Sequence, residues 1–110
     1  MNWIDLKTEG DLDKLIQKSQ EKPQIIFKHS NRCGISAMAK SRLERSAPPA
    51  NADFYFLDLI TYRNISNKVS SVFDVYHESP QVLIIRNGQC IYDESHGGIT
   101  MTEIEEQVSI

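Results

Sequence analysis

The sequence predicts an α/β domain of three layers, a mixed central sheet with helices on both faces. Three observations carry this. Apolar runs of strand length alternate along the chain with apolar stripes at helical spacing. Asn87-Gly88 is a strong hairpin signal, because a type I′ turn requires positive φ at both central residues. Capping patterns and prolines punctuate the boundaries between the segments. The expected order is strand, helix, strand, helix, strand, helix, strand, hairpin turn, strand, helix, in a single domain over residues 1–110.

Trp3 to Leu6 is expected as a short edge strand. Thr8 with Asp11 resembles a capping box, which satisfies free N–H groups at a helix start. Leu12, Leu15, Ile16 and Ser19 then share one helical face until Pro23, which cannot continue the helix. Gln24 to Lys28 contains Ile25, Ile26 and Phe27 in succession, and a run apolar on both faces suits a strand covered on both sides. Ser30 and Asn31 offer N-cap oxygens to a second helix, whose apolar face is Ile35, Met38, Ala39 and Leu43 and which Pro48-Pro49 stops. Phe54 to Leu59 predicts another buried strand, and Ile65, Val69, Val72, Phe73 and Tyr76 a third helical stripe. Val82 to Ile85 enters the hairpin and Cys90 to Asp93 returns from it. Gly97-Gly98 interrupts the chain, Thr100 with Glu103 forms a second capping pattern, and Met101, Ile104 and Val108 face inward from the last helix.

Composition narrows the function. The 110 residues are 40% hydrophobic and 25% charged, which suits a soluble globular fold and argues against disorder. The net charge of -3, with no basic stripe, gives no reason to expect nucleic-acid binding. Met1 to Lys7 lacks a basic stretch followed by an apolar one, so no secretory signal is read there. The apolar runs fall far short of the roughly 20 residues a bilayer requires, so a cytoplasmic location is expected. Two cysteines, Cys33 and Cys90, do not make a disulfide scaffold, and in that compartment both are expected reduced.

The stretch that carries chemistry is Phe27-Lys28-His29-Ser30-Asn31-Arg32-Cys33-Gly34-Ile35-Ser36, where a buried strand feeds a helix. Helix N-termini present unpaired N–H groups and about half a positive charge. A cysteine there is held as its anion, well below the free-thiol pKa of about 8.5, and the thiolate is the nucleophile of disulfide exchange. Arg32 adds positive charge, and Ser36, one turn on, has a hydroxyl within expected reach of the sulfur. The competing reading is a cysteine packed as a small hydrophobe. Gly34 weakens the first helical turn but lets another molecule approach closely, against a plainer role as a loose helix start. Ser36 stands where a C-x-x-C protein has its second cysteine, so an internal disulfide is unavailable and the chemistry is monothiol, unless Ser36 is an ordinary helix residue.

Cys90 lies just past the hairpin turn. Six strand residues at about 3.3 Å each put that turn roughly 20 Å from Pro80. A disulfide needs Cα atoms within about 7 Å, so Cys90 is expected to be structural or surface, not a resolving partner. His29, His77 and His96 are expected near the Cys33 end of the sheet as a polar rim; their spacings match no metal motif. The Gly97-Gly98 amides with the Thr100 cap are candidates to hold a carboxylate of a small thiol, or form a plain turn.

These residues give the chain a resemblance to the monothiol bacilliredoxins, YtxJ-like proteins of the thioredoxin superfamily. Its carriers are Ile25-Ile26-Phe27-Lys28-His29-Ser30, Cys33-Gly34-Ile35-Ser36, Glu78-Ser79-Pro80-Gln81-Val82 and His96-Gly97-Gly98, spread over essentially the full length. Family members often have proline after the active cysteine, where this chain has Gly34. The resemblance implies a thioredoxin-like fold with a cis-proline at Pro80, turning the Ser79 backbone toward a bound thiol or peptide; a trans-proline at a strand start is the plainer alternative. It further implies that Cys33 attacks S-bacillithiolated proteins and takes up the bacillithiol, a thiol co-substrate rather than a resident cofactor. Asn31, Arg32, Ser79, Pro80, Gly97 and Gly98 would frame that site. Two other functions stay open. Cys33-Gly34-Ile35-Ser36 differs by one residue from the C-G-F-S core of monothiol glutaredoxins, which carry a [2Fe–2S] cluster. A non-catalytic stress adaptor using only its surface is the third.

Overall fold

The computed structural model describes residues 1–109. Its elements follow the expected order: β1 (Trp3–Asp5), α1 (Glu9–Lys18), β2 (Gln24–His29), α2 (Gly34–Glu44), β3 (Asp53–Asp58), α3 (Arg63–Phe73), β4 (Gln81–Arg86), β5 (Gln89–Ser95), a 3-10 turn at His96–Gly98, and α4 (Met101–Val108). The sheet order is β1-β3-β2-β4-β5. β3 runs parallel to both β1 and β2, whereas β4 is antiparallel to β2 and to β5.

Alternate residues of β2 feed two cores. Ile26 joins Leu12 and Leu15 of α1 and Ile65, Val69 and Phe73 of α3 on one face. Ile25 and Phe27 join Ala39 and Leu43 of α2 and Ile104 and Val108 of α4 on the other. A one-residue slip of β2 would exchange the two sets, so both cores specify its register. All six residues of β2 are buried, as its doubly apolar run requires.

Local signals materialise where the chemistry is local. Asp11 N–H donates to Thr8 Oγ1 at 3.0 Å and the Asp11 carboxylate accepts from Thr8 N–H at 3.1 Å, a complete capping box. Asn87 and Gly88 have φ of 54° and 76°. Ser19, at the end of α1, holds this turn: its carbonyl accepts Asn87 N–H and its hydroxyl accepts Gly88 N–H, both at 2.9 Å.

Four expectations change. The Thr100 pattern is half a box: Glu103 N–H donates to Thr100 Oγ1, but the Glu103 carboxylate accepts from Gln107 instead. Helix α2 turns Ser36, Ala39 and Leu43 inward and leaves Ile35 and Met38 exposed at 55% and 66%. In α3 the buried side chains are Ile65, Ser66, Val69 and Phe73; Val72 is exposed, and Tyr76 lies beyond the helix at 86% exposure. Asp74, at φ 54°, closes α3 in the left-handed conformation and so ends the stripe early. Finally, Cys33 itself is the N-cap of α2, in place of Ser30 or Asn31.

Candidate active site

The carboxyl ends of the parallel strands, the start of β4 and the end of β5 lie at one end of the sheet. Ligands of open α/β sheets bind outside the carboxyl ends of the strands. Here β2 ends at His29, whose carbonyl accepts Leu59 N–H at 3.0 Å, tying it to the end of β3. Ser30 then makes a tight turn: its carbonyl accepts Cys33 N–H at 3.2 Å and its hydroxyl accepts Arg32 N–H at 3.4 Å. Cys33 is extended (φ -116°, ψ 117°), and its carbonyl accepts the first helical bond, from Ala37 N–H at 3.1 Å.

The N–H groups of Gly34, Ile35 and Ser36 therefore precede the first helical bond and have no carbonyl partner among the described residues. They carry the positive end of the α2 dipole, and no acidic side chain occupies the first turn to neutralise it. The Cys33 thiol is free and half-buried, not sunk in the core. Asn31 and Arg32 are exposed beside it. A Cβ added at Gly34 would meet nothing within 4 Å, so the approach to the sulfur is open on that side.

Ser36 is placed differently from expectation. It is fully buried and makes no hydrogen bond to the Cys33 sulfur. Its Oγ accepts Ser30 N–H at 3.1 Å and lies 2.8 Å from His29 Nδ1. The hydroxyl thus pins α2 to the end of β2, which is also why Ser36 faces the sheet and Ile35 does not. His29 is buried against Phe27 and Phe56. Burial first, and the Lys40 charge second, hold its imidazole below the usual histidine range, against the opposing pull of Asp58 and Glu44.

Ser79–Pro80 is a cis peptide. The Pro80 carbonyl accepts His96 N–H at 3.2 Å, which joins this loop to the 3-10 turn. Neither the N–H nor the carbonyl of Ser79 has a hydrogen-bond partner among the described residues, and its buried Oγ is also unpartnered. Across the mouth His96 Nε2 lies 3.8 Å from the Glu78 carboxylate. Helix α2 is clamped to the same turn by Arg42, which donates to the carbonyls of Ile99 (2.9 Å) and His96 (3.3 Å). Cys33, Ser79–Pro80 and Gly97–Gly98 are thus brought to one end of the molecule by three elements tied together.

Gly97 and Gly98 are exposed there, but the protein's own carboxylate crowds the second of them. A Cβ at Gly98 would come within 2.6 Å of Glu94 Cδ. The Glu94 carboxylate is held in turn by Ser95 N–H at 2.9 Å. An anionic group approaching Gly98 meets this negative charge, which weakens the case for a carboxylate cradle made by both glycines.

Cys90 sits at the other end of the sheet. It pairs with Ile85, which pairs with Gln24 at the start of β2. Its thiol donates to the Tyr92 carbonyl at 3.3 Å, and burial pushes its pKa up. The histidines do not form one rim: His29 faces α2, His77 lies against Lys28, and His96 is exposed. Burial, Lys28 and Arg63 hold the His77 imidazole below the usual range, against Glu78.

Two residues escape sequence reasoning. Lys28 is fully buried, with Nζ 2.9 Å from Ser70 Oγ and 3.3 Å from both the Ser66 carbonyl and His77 Nδ1. Burial lowers its pKa to about 8. Gln81, its register partner in β4, is buried as well. The available signal was a lysine closing an apolar strand that both faces cover.

The fold agrees with that of known proteins. One solved structure, described as having a thioredoxin fold, superposes with a TM-score of 0.77 at 28% identity, covering 94% of this chain and 90% of the other. Thioredoxin from Malassezia sympodialis superposes at 0.75 with 14% identity (98% and 89% covered), and thioredoxin from Schistosoma mansoni at 0.67 with 20% identity (98% and 94% covered); these two speak to the fold alone. Residues 4–104 match the family described as monothiol bacilliredoxin BrxC. With one thiol opening α2 and a serine where a second would stand, the chain belongs to the monothiol bacilliredoxin family, thiol–disulfide oxidoreductases of the thioredoxin superfamily.

Proposed function

We propose that Cys33 removes bacillithiol from S-bacillithiolated proteins. The Cys33 thiolate attacks the bacillithiol sulfur of a protein–bacillithiol disulfide in line with the S–S bond. That bond breaks, the target cysteine leaves as its thiolate, and a new disulfide joins Cys33 to bacillithiol. A second thiol then attacks the bacillithiol sulfur of this adduct, forming a new disulfide with bacillithiol as Cys33 leaves as its thiolate. The exchange conserves disulfides, so it calls for no resident cofactor; bacillithiol enters as co-substrate.

The observation that carries this reading is the place of Cys33: a half-buried free thiol that is itself the N-cap of α2, ahead of three amides with no carbonyl partner among the described residues. Those amides carry the positive end of the α2 dipole, with no acidic side chain in the first turn to offset it. The buried Ser36 and the remote Cys90 supply no resolving sulfur, so the adduct waits for an external thiol. In this reading the exposed Asn31, Arg32 and Gly97, and the Ser79 backbone, which has no hydrogen-bond partner among the described residues, contact the departing target and the incoming thiol.

The test is a mixed-disulfide assay read by intact-mass spectrometry. A bacillithiolated protein incubated with the wild type should lose its adduct while the chain gains it at Cys33. Cys33→Ser should do neither. Transfer by Cys33→Ser, or equal transfer from glutathionylated protein, would overturn the proposal.

A further inference from the structure

Three consecutive residues before Ser79 are gripped by two buried side chains. Gln81 donates from Nε2 to the Tyr76 carbonyl at 2.9 Å, and its Oε1 accepts Glu78 N–H at 3.4 Å. Between them, His77 Nδ1 lies 3.3 Å from Lys28 Nζ. An ammonium has three protons and no lone pair, so His77 must accept through Nδ1 and carry its own proton on Nε2. The other two protons of Lys28 go to Ser70 Oγ and the Ser66 carbonyl of α3. Lys28 and Gln81 are cross-strand partners on β2 and β4, both buried.

Packing alone does not account for this pair. A methionine would fill the space of Lys28 without desolvating a charge, and a buried cation is costly unless its bonds serve something. Here they join α3 to the residue in the middle of the loop, while Gln81 takes the residues on either side. The next residue, Ser79, has a backbone without a hydrogen-bond partner among the described residues, at the end of the sheet where β2 leads into α2.

We propose that Lys28 and Gln81 are positioning residues for target recognition: together they hold Tyr76–Glu78 so that the Ser79 backbone is presented at a set place relative to Cys33. The extended segment around a target's modified cysteine then pairs with Ser79 as an added strand. The proposal rests on the thiol-exchange reading above. The pair touches neither sulfur nor target, so it governs binding of protein substrates and not the intrinsic reactivity of Cys33.

The experiment compares wild type with Lys28→Met, Gln81→Met, His77→Leu and His77→Asn, whose Oδ1 replaces the Nδ1 acceptor. Three quantities are read: amide exchange of residues 75–79, steady-state KM and kcat with a protein mixed disulfide, and the rate of Cys33 alkylation by iodoacetamide. Loss of the grip should speed exchange about tenfold and raise KM about tenfold with kcat within about threefold. Alkylation should stay within about twofold, and His77→Asn should recover most of the loss that His77→Leu shows. Unchanged exchange and KM in His77→Leu and Gln81→Met overturn the proposal, and those two decide it if Lys28→Met does not fold. Alkylation slowed as much as protein exchange also overturns it, because the pair would then act on the sulfur. If the wild type fails to exchange with any protein disulfide, the functional reading falls, while amide exchange still decides whether the pair holds the loop.

Discussion

Replacing Lys28 by methionine should abolish a rise of folding stability with pH. The native Lys28 has its pKa lowered to about 8 by burial, against an ordinary value of 10.5. Between those values the unfolded chain binds a proton that the native chain has released, so stability increases with pH across that window. Integrated from pH 7 to pH 9.5, one such group contributes about 2 kcal/mol. Tyr55, whose hydroxyl is pushed up to about 12 chiefly by burial, acts in the opposite sense above pH 10, but it is common to both proteins. Cys90, also raised, opposes the trend from pH 9, but both proteins share it, and it cancels in their difference.

The absolute stabilities are a balance. At pH 7 the charged Lys28 costs about 3 kcal/mol relative to an unshifted lysine. Methionine removes that cost but strands Ser70 Oγ, the Ser66 carbonyl and His77 Nδ1, at about 1–3 kcal/mol for each that finds no water. The slope, not the offset, is therefore diagnostic. Urea unfolding at four pH values should show the gap between wild type and Lys28→Met shifting by about 2 kcal/mol in favour of the wild type, or a relative midpoint gain of about 1–2 M. Parallel curves, within about 0.5 kcal/mol, would refute the reasoning.

Ser36→Ala should destabilise the chain by about 1–3 kcal/mol, because it leaves Ser30 N–H and the His29 ring without their shared buried partner; thermal melts measure this. Gly34→Ala should raise stability by about 0.5–1 kcal/mol, since alanine suits a helical turn better and the added methyl meets nothing; a fall would show that the position has a conformational demand. Cys33 should alkylate well before Cys90 in the native protein, because Cys90 is tied to the Tyr92 carbonyl, raised in pKa by burial and set at the far end of the sheet. Peptide mapping after timed alkylation reads the order, and oxidation of dilute monomer should yield no internal Cys33–Cys90 bond.

Much of the fold was legible because its signals are local. A capping box is complete within four residues, and Thr8 and Asp11 form it whatever packs above them. The same holds for Asn87-Gly88, whose positive φ values belong to the turn itself. Doubly apolar β2 announced that both faces of the sheet are covered, and the strand-to-helix junction announced the place of Cys33. Its immediate chemistry was less legible. Cys33, not Ser30 or Asn31, became the N-cap because Ser30 spends its carbonyl and hydroxyl on closing the turn.

The order of elements, the hairpin and the helix-terminal cysteine followed from the sequence by itself, since periodicity and turn chemistry act between residues a few positions apart. Which face each element shows was decided only by tertiary packing. The Ser36 tie to His29 rotates α2 so that Ile35 and Met38 point outward. The irregularity opposite Ile84 and Ile85 sends Cys90 to the α1–α3 face and Tyr92 to the α2–α4 face, although two residues apart in a regular strand they would share one. Lys28 became a buried clamp because its partners, Ser66, Ser70 and His77, lie 38 to 49 residues away. No pattern within a single element records contacts at that range.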